Sequence, residues 1–403
     1  DYYPGEDGYE VRTIHNPFGT GKNVVQLGGS TPEGVARAGE AFLAHLEAEG
    51  LQIGRINEAV SRHNPSSYPS DAEAREITAK VNEQVALSGS QGPLRRMVDH
   101  AMLYYLSGQE VWGRMFREEF LFFIDLAHEV GDWCLSQGTH LYFWIYRMLT
   151  AWDVMEEGEV LSDADRLKMT NAIYNIIRWT SNLSHFRFDS VDEIVQQQNH
   201  QSFAALSLFL GDRYFRKYYG LTDFDKQVPL AHRILELHGR AYKPNDNAGT
   251  GYVWLTPGHV MKHGFMTGDL SYLESGNLAR LLDSAVLTID SRGDDCSYGD
   301  VGAYRASRSS RPSGLQAASV AAWFYNDGRY RWLYDWMSKG NDWEDAIQSS
   351  GDWGIGSWEV YDGLFFRDLE PVEPTELLGV KASMLDSEIY ELAQERSRNT
   401  EQY

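Results

Sequence analysis

Three polar segments hold the residue types that move protons and bind anions. The first is Gln196-Gln197-Gln198-Asn199-His200-Gln201-Ser202, just ahead of the apolar run Phe203 to Leu210. Side-chain amides need partners when buried, so a run of them closing on an imidazole at a helix start suits a ligand-facing surface better than pure packing. A solvated helix N-terminus with His200 as a local cap is the competing reading. The second segment runs from Tyr242 to His259 through Tyr252 and Trp254, a long Gly- and Asn-rich loop leading into a helix start that carries His259 and then His263. Loops of this length inside compact domains are more often functional than idle. His259 therefore ranks above His263, which lies further into the helix and reads as a core or surface histidine.

The third segment is the densest, placing Arg292, Asp294, Asp295, Tyr298, Asp300, Tyr304, Arg305, Arg308 and Arg311 in one stretch. The whole chain carries a formal net charge of -22, so this cluster of arginines is a local reversal of charge. Guanidinium forks match carboxylates bidentately, which points to an anion near the loop; pairing with Asp294, Asp295 and Asp300 is the alternative. Amide, imidazole, guanidinium and phenol are together the groups that β-elimination of a uronic-acid polymer requires. The sugar carboxylate must be neutralised so that its C5 proton becomes acidic, and these donors can do so without a metal. A base then removes that proton and an acid protonates the departing oxygen; tyrosine serves both steps where nearby positive charge lowers its pKa. Tyr298, between Arg292 and Arg305, is the first choice for that role, with Tyr304 and Tyr252 as substitutes.

The elements that must position these segments read as helices. With 403 residues and 42% hydrophobic content the chain can bury a large core. Thr31-Pro32 supplies an N-cap and a proline at the first helical position, after which Val35, Ala38, Phe42, Leu43 and Leu46 recur at helical spacing. Ser162 to Asp165 reads as a capping box before Leu167 to Trp179. A Gly-polar-aromatic punctuation follows helical runs at Leu106 to Trp112, Leu210 to Tyr214, Met266 to Tyr272 and Tyr325 to Tyr330. Each reads as a turn between antiparallel helices, and hairpins of this kind bury their apolar faces by stacking on neighbours. The expected fold is mainly all-α, an (α/α) toroid or incomplete barrel of helical hairpins. Asp362-Gly363 between short aromatic and β-branched runs adds a small C-terminal β-hairpin. No Gly/Ser- or Pro-rich linker interrupts the chain, so a single domain is expected over 1–403, with 1–30 an irregular N-terminal arm. The tail over 370–403 carries a last amphipathic helix around Leu385 to Leu392.

The same composition weighs against some partners. The acidic charge disfavours nucleic acid, whose binding comes largely from Lys and Arg. No apolar run reaches the length of a membrane span. Cys134 and Cys296 allow one disulfide at most and lack zinc-site spacing, so neither metal nor cofactor is expected. The start at Asp-Tyr-Tyr-Pro, without Met or an apolar leader, suits a mature secreted or periplasmic protein.

Helical hairpins with Gly-Asp turns, an Asn-His pair opening a helix and a later Arg/Tyr-rich loop resemble the polysaccharide lyases of the (α/α) toroid type, which cleave polyuronates such as alginate and glucuronan. The length is closest to polysaccharide lyase family 38, and the architectural resemblance spans roughly residues 90 to 340. The resemblance implies that Asn199 and His200 are the neutralising Asn-His pair, that Tyr298 is the acid/base and that Arg292 is the guanidinium preceding it. His259 is the alternative basic histidine. Tyr252, Tyr304, Arg305, Arg308, Arg311, Gln198 and Trp254 are expected to bind the anionic polysaccharide, Trp254 by stacking on a pyranose ring. Many related lyases continue into C-terminal β-sandwich domains, which this chain is too short to hold. Two other functions compete: a glycoside hydrolase with Asp294, Asp295 or Asp300 flanking the scissile bond, and a non-catalytic glycan-binding scaffold.

Overall fold

The computed structural model describes residues 4–5, 7–50, 54–60, 68–88, 91–130, 141–241, 252–286, 311–338 and 369–373. They are mostly helical, with one small antiparallel sheet. The chain gathers into two compact units. The first comprises 1–194, 203–233 and 344–358; the second comprises 195–202, 234–343 and 359–403.

The first unit opens on the sheet. Strands β1 (Tyr9–Ile14), β2 (Val24–Gly29) and β3 (Asn57–Val60) lie in the order β2-β1-β3, with Tyr9 opposite Gly29 on one side and Val60 on the other. This corrects the expectation of an irregular arm over 1–30. Val11 and Thr13 in β1 and Val24 and Val25 in β2 are β-branched residues suited to a pleated, half-buried surface. Helix α1 (Pro32–Glu49) packs on the sheet and starts as expected, the Thr31 hydroxyl accepting from the Gly34 amide at 3.0 Å ahead of Pro32. Ala38 is fully buried with Val11 and Ile56, but Val35 and Leu43 are exposed, so only part of the helical apolar pattern faces the core.

Helices α2 (Asp71–Ser88), α3 (Gln91–Ser107), α4 (Glu110–Val130), α5 (Tyr142–Met155) and α6 (Asp163–Thr180) follow. Gly108 turns α3 into α4 at φ 66, and a Cβ there would sit 2.7 Å from the Ala59 nitrogen, so the expected turn requires glycine on two counts. The Ser162–Asp165 capping box opens α6. Phe116, Phe120, Phe123, Trp144 and Trp152 fill the interior, with Trp144 edge-on to Phe120.

Helix α7 (Asn199–Tyr219) passes straight through the turn expected at Leu210 to Tyr214. A Cβ on Gly211 would fall 2.5 Å from Ile177 Cγ2, so this glycine serves close packing against α6 rather than chain reversal. Helix α8 (Val228–Gly239) belongs to the first unit up to 233 and to the second from 234, where α9 (Tyr252–Thr267), α10 (Ser271–Glu274), α11 (Asn277–Val286), α12 (Arg311–Tyr325) and α13 (Gly328–Ser338) follow. Two expected turns are present: Gly268 at φ 80 ends α9, and Asn326 at φ 51, rather than the neighbouring glycine, takes the left-handed position between α12 and α13. The C-terminal hairpin at Trp358 to Phe366 and the helix at Leu385 to Leu392 lie outside the described residues.

Candidate functional site

The polar segment before α7 folds back on the first turn of that helix. The Gln201 side chain reaches in both directions, its Oε1 accepting from the Gln197 amide at 2.9 Å and its Nε2 donating to the Val195 carbonyl at 3.1 Å. One residue on, the Ser202 hydroxyl donates to the Asn199 carbonyl at 2.9 Å. Both side chains are fully buried, and Asn199 is 3% exposed. Amides ahead of an apolar run therefore become a self-bonded turn, because each buried polar group must find a partner.

Two histidines from other helices close on the same turn. His238, in the last turn of α8, lies with Nδ1 3.1 Å from Gln196 Nε2 and Nε2 3.3 Å from Gln201 Oε1. Burial pushes its pKa down to about 4, which keeps the ring neutral over the ordinary range. The end of α8 is anchored there by Asn277, which donates to the Gly239 carbonyl at 3.1 Å. His259, on α9, places Nδ1 3.0 Å from Ser202 Oγ, and Thr256 Oγ1 lies 3.1 Å from the same hydroxyl. Among the described residues these bonds join amides, hydroxyls and imidazoles.

Of the expected site, the structure links His259 through Ser202 to the backbone carbonyl of Asn199, in the helix turn that also carries His200. Gln198 is exposed and His200 half-buried, so both can meet a ligand, while Asn199 and His259 are buried. The second segment is helical from Tyr252 onward, so His259 stands inside a helix rather than at its start. His263 is also buried. Tyr252 and Arg311 are the first residues of α9 and α12. Arg292, Tyr298, Tyr304, Arg305 and Arg308 lie outside the described residues.

Trp254 is corrected. It is 2% exposed and belongs to an apolar cluster with Met261, Leu281, Ala317, Leu333 and Met337, so its ring has no open face for a sugar. A Cβ on Gly314 would lie 3.3 Å from its Cε2, a measure of how closely α12 packs there. Sequence reasoning missed His238, Thr256 and the structural parts played by Gln201 and Ser202. The buried polar side chains of 201 and 202 inside an otherwise apolar helix were the available signal; nothing local marks His238.

A second buried polar cluster lies wholly in the first unit. Trp152 Nε1 donates to Tyr214 Oη at 3.0 Å, which donates to Glu156 Oε2 at 2.7 Å, and Tyr219 Oη donates to Glu156 Oε1 at 3.2 Å. The adjacent Glu157 meets His15 Nδ1 at 2.9 Å and is bonded by Arg55 Nε. Burial raises the Glu156 carboxyl above its usual range despite the tyrosine bonds. Burial also pushes Glu157 upward, but hydrogen bonds from His15 and Arg55 outweigh it and leave that carboxyl below the usual range. The pair ties the β1–β2 loop to the end of α5.

Among the described residues no group of three or more His, Cys, Asp or Glu could hold a metal ion, and no helix is long and apolar enough to cross a membrane. No protein-family model, no curated protein and no solved structure matches this chain.

Proposed function

We propose that this chain is a secreted or periplasmic polysaccharide lyase that cleaves a uronic-acid-containing polysaccharide, alginate or polymannuronate or glucuronan, by metal-independent β-elimination, with its helical hairpins arranged as an (α/α) toroid. The observation that carries the proposal is that Ser202 joins His259 of α9 to the first turn of α7, the turn that begins with Asn199 and His200. The first turn of α7 adds the positive end of a long helix, which favours a carboxylate nearby. An amide and imidazole set suits neutralisation of a uronate carboxylate.

In this reading the uronate carboxylate is bound by His200 and Arg292, with Asn199 buried at the start of the same helix as His200, and the C5 proton becomes acidic. Tyr298 removes it, the C5–H electron pair becomes the C4–C5 double bond, the C4–O4 bond breaks, and the proton is returned to O4. Gln198, Tyr252, Tyr304, Arg305, Arg308 and Arg311 hold neighbouring sugars. Tyr298→Phe is expected to remove nearly all turnover of polymannuronate or glucuronan, followed as unsaturated product, while binding of the intact polymer is largely retained. Unchanged turnover in that variant would remove tyrosine from the mechanism.

A further inference from the structure

The loop between β1 and β2 is bonded largely to itself. Asn16 takes a φ of 35, its Oδ1 accepts the Gly21 amide at 2.7 Å, its carbonyl accepts the Gly19 amide at 3.1 Å, and its own amide donates to Asn23 Oδ1 at 3.2 Å. Every residue from Phe18 to Asn23 is exposed. Among the described residues, two polar bonds hold this loop to the helical part of the first unit, and both end on Glu157. His15 Nδ1 meets Oε1 at 2.9 Å, and Asn23 Nδ2 donates to Oε2 at 3.3 Å. Arg55, in the segment before β3, donates to the same Oε2 and meets Asp163 at 3.0 Å, and Asp163 in turn is met by Arg166.

The two cations on Glu157 differ in what can remove their charge. Arg55 is charged at every ordinary pH, whereas the His15 imidazole titrates, and its side chain is 29% exposed to solvent against 6% for Glu157. The hydrogen bond to Glu157 raises the His15 pKa above the ordinary 6.5; burial opposes this, and the charges of Glu156 and Glu157 with the Asn23 side chain support it. Tyr218 of α7 stands beside the ring with centroids 5.3 Å apart, its hydroxyl 3.1 Å from Lys217 Nζ and its pKa pushed up by burial and by Asp153, so it stays uncharged. Glu156 is itself bonded by Tyr214 and Tyr219.

We propose that His15 and Glu157 form a pH-dependent latch: the proton on His15 fastens the β1–β2 loop to the end of α5, and its loss as pH rises loosens the loop while Arg55 keeps its hold on the carboxylate. A folded pKa raised above the unfolded one makes the fastening complete below 6.5 and lost as pH rises through the folded value. Glu157, below the usual carboxylate range despite burial, is ionised throughout. A neutral ring can still donate from Nδ1, so what disappears is the charge assistance of the bond. The latch lies within the first unit and is independent of the lyase reading.

Two measurements on the full chain test it together. Histidine ring resonances give the His15 midpoint, assigned by its loss in His15→Gln. Amide hydrogen exchange at Asn16, Gly19 and Gly21, divided by the intrinsic rate at each pH, reports how firmly the loop is held. The expected result is a His15 midpoint above 6.5 and protection of the three amides that falls about threefold across that midpoint, the size of a partly exposed ion pair. Buried Ile173 and Ile176 of α6 show no such step. His15→Gln, which keeps a donor without a titrating charge, removes the step, and Glu157→Gln moves the His15 midpoint down toward 6.5. His15→Gln alters a partly exposed side chain, so it remains readable if Glu157→Gln does not fold. Protection flat with pH in the wild type, a step at another midpoint, a step that survives in His15→Gln, or a His15 midpoint at or below 6.5 would overturn the latch.

Discussion

Around Glu156 and Glu157 in the first unit, buried carboxylates are met by Arg55, His15 and two tyrosine hydroxyls. Around Gln201 and Ser202 in the second unit, buried polarity is carried by amides, hydroxyls and imidazoles bonded to one another and to backbone. Both clusters satisfy the rule that interior polar groups need partners, yet they respond to perturbation differently. Removing one member of a charged pair strands an ion, whereas removing one member of a neutral set strands a dipole. The first arrangement suits a joint between a strand loop and a helix. The second joins the first turn of α7 to α8 and α9 through dipoles.

The largest stability effect should therefore fall in the charged cluster. Glu157→Ala leaves Arg55 and His15 without their shared carboxylate and is expected to lower stability by about 3 kcal/mol, measured by denaturant unfolding. A change no greater than that of an exposed Glu→Ala control would show the pair to be inert.

The neutral cluster should reveal itself through pH. His238 protonates near its ordinary 6.5 when unfolded but near about 4 when folded, so between those values the unfolded chain binds more protons. Its contribution is complete above the unfolded value and is lost as pH falls toward 4. Wild type should lose about 2 kcal/mol more than His238→Gln between pH 6.5 and pH 4; parallel curves would contradict this.

A smaller effect of opposite sign is expected at Asp283 on α11, whose carboxyl is 2% exposed with one oxygen lacking a hydrogen-bond partner. Burial, only partly offset by Arg329, pushes its pKa up to about 7. The folded chain binds more protons between the ordinary 3.8 and that value, so the stabilisation is complete below 3.8 and is lost as pH rises through 7. Asp283→Asn, which cannot ionise, should gain about 1 kcal/mol on wild type at pH 8 and less at pH 5, followed as thermal unfolding.

Helix starts were legible in the sequence where local chemistry makes them: the Thr31 cap, the Ser162–Asp165 box and the Asn199 start are all in place. Turn punctuation was legible only in part. Gly108 and Gly211 both follow apolar helical runs, but one has left-handed backbone and the other lies against Ile177, a difference that depends on what stands across from each glycine. The β1–β2 hairpin was hidden because a long Gly- and Asn-rich loop separates two short strands and dilutes their period. Trp254 looked available because it follows a glycine-rich stretch, but α9 begins at Tyr252 and carries the ring into the core. His238 was beyond reach, since its partners lie 37 and 42 positions away.

The central claim is that the Asn199 turn serves elimination on a uronate. Incubating the protein with polymannuronate, alginate and glucuronan while following near-ultraviolet absorbance and reducing ends together tests it most directly. The account predicts both signals rising in step on at least one of these polymers, as each cut leaves an unsaturated uronate. Reducing ends without absorbance, or neither signal on any of them, would contradict it.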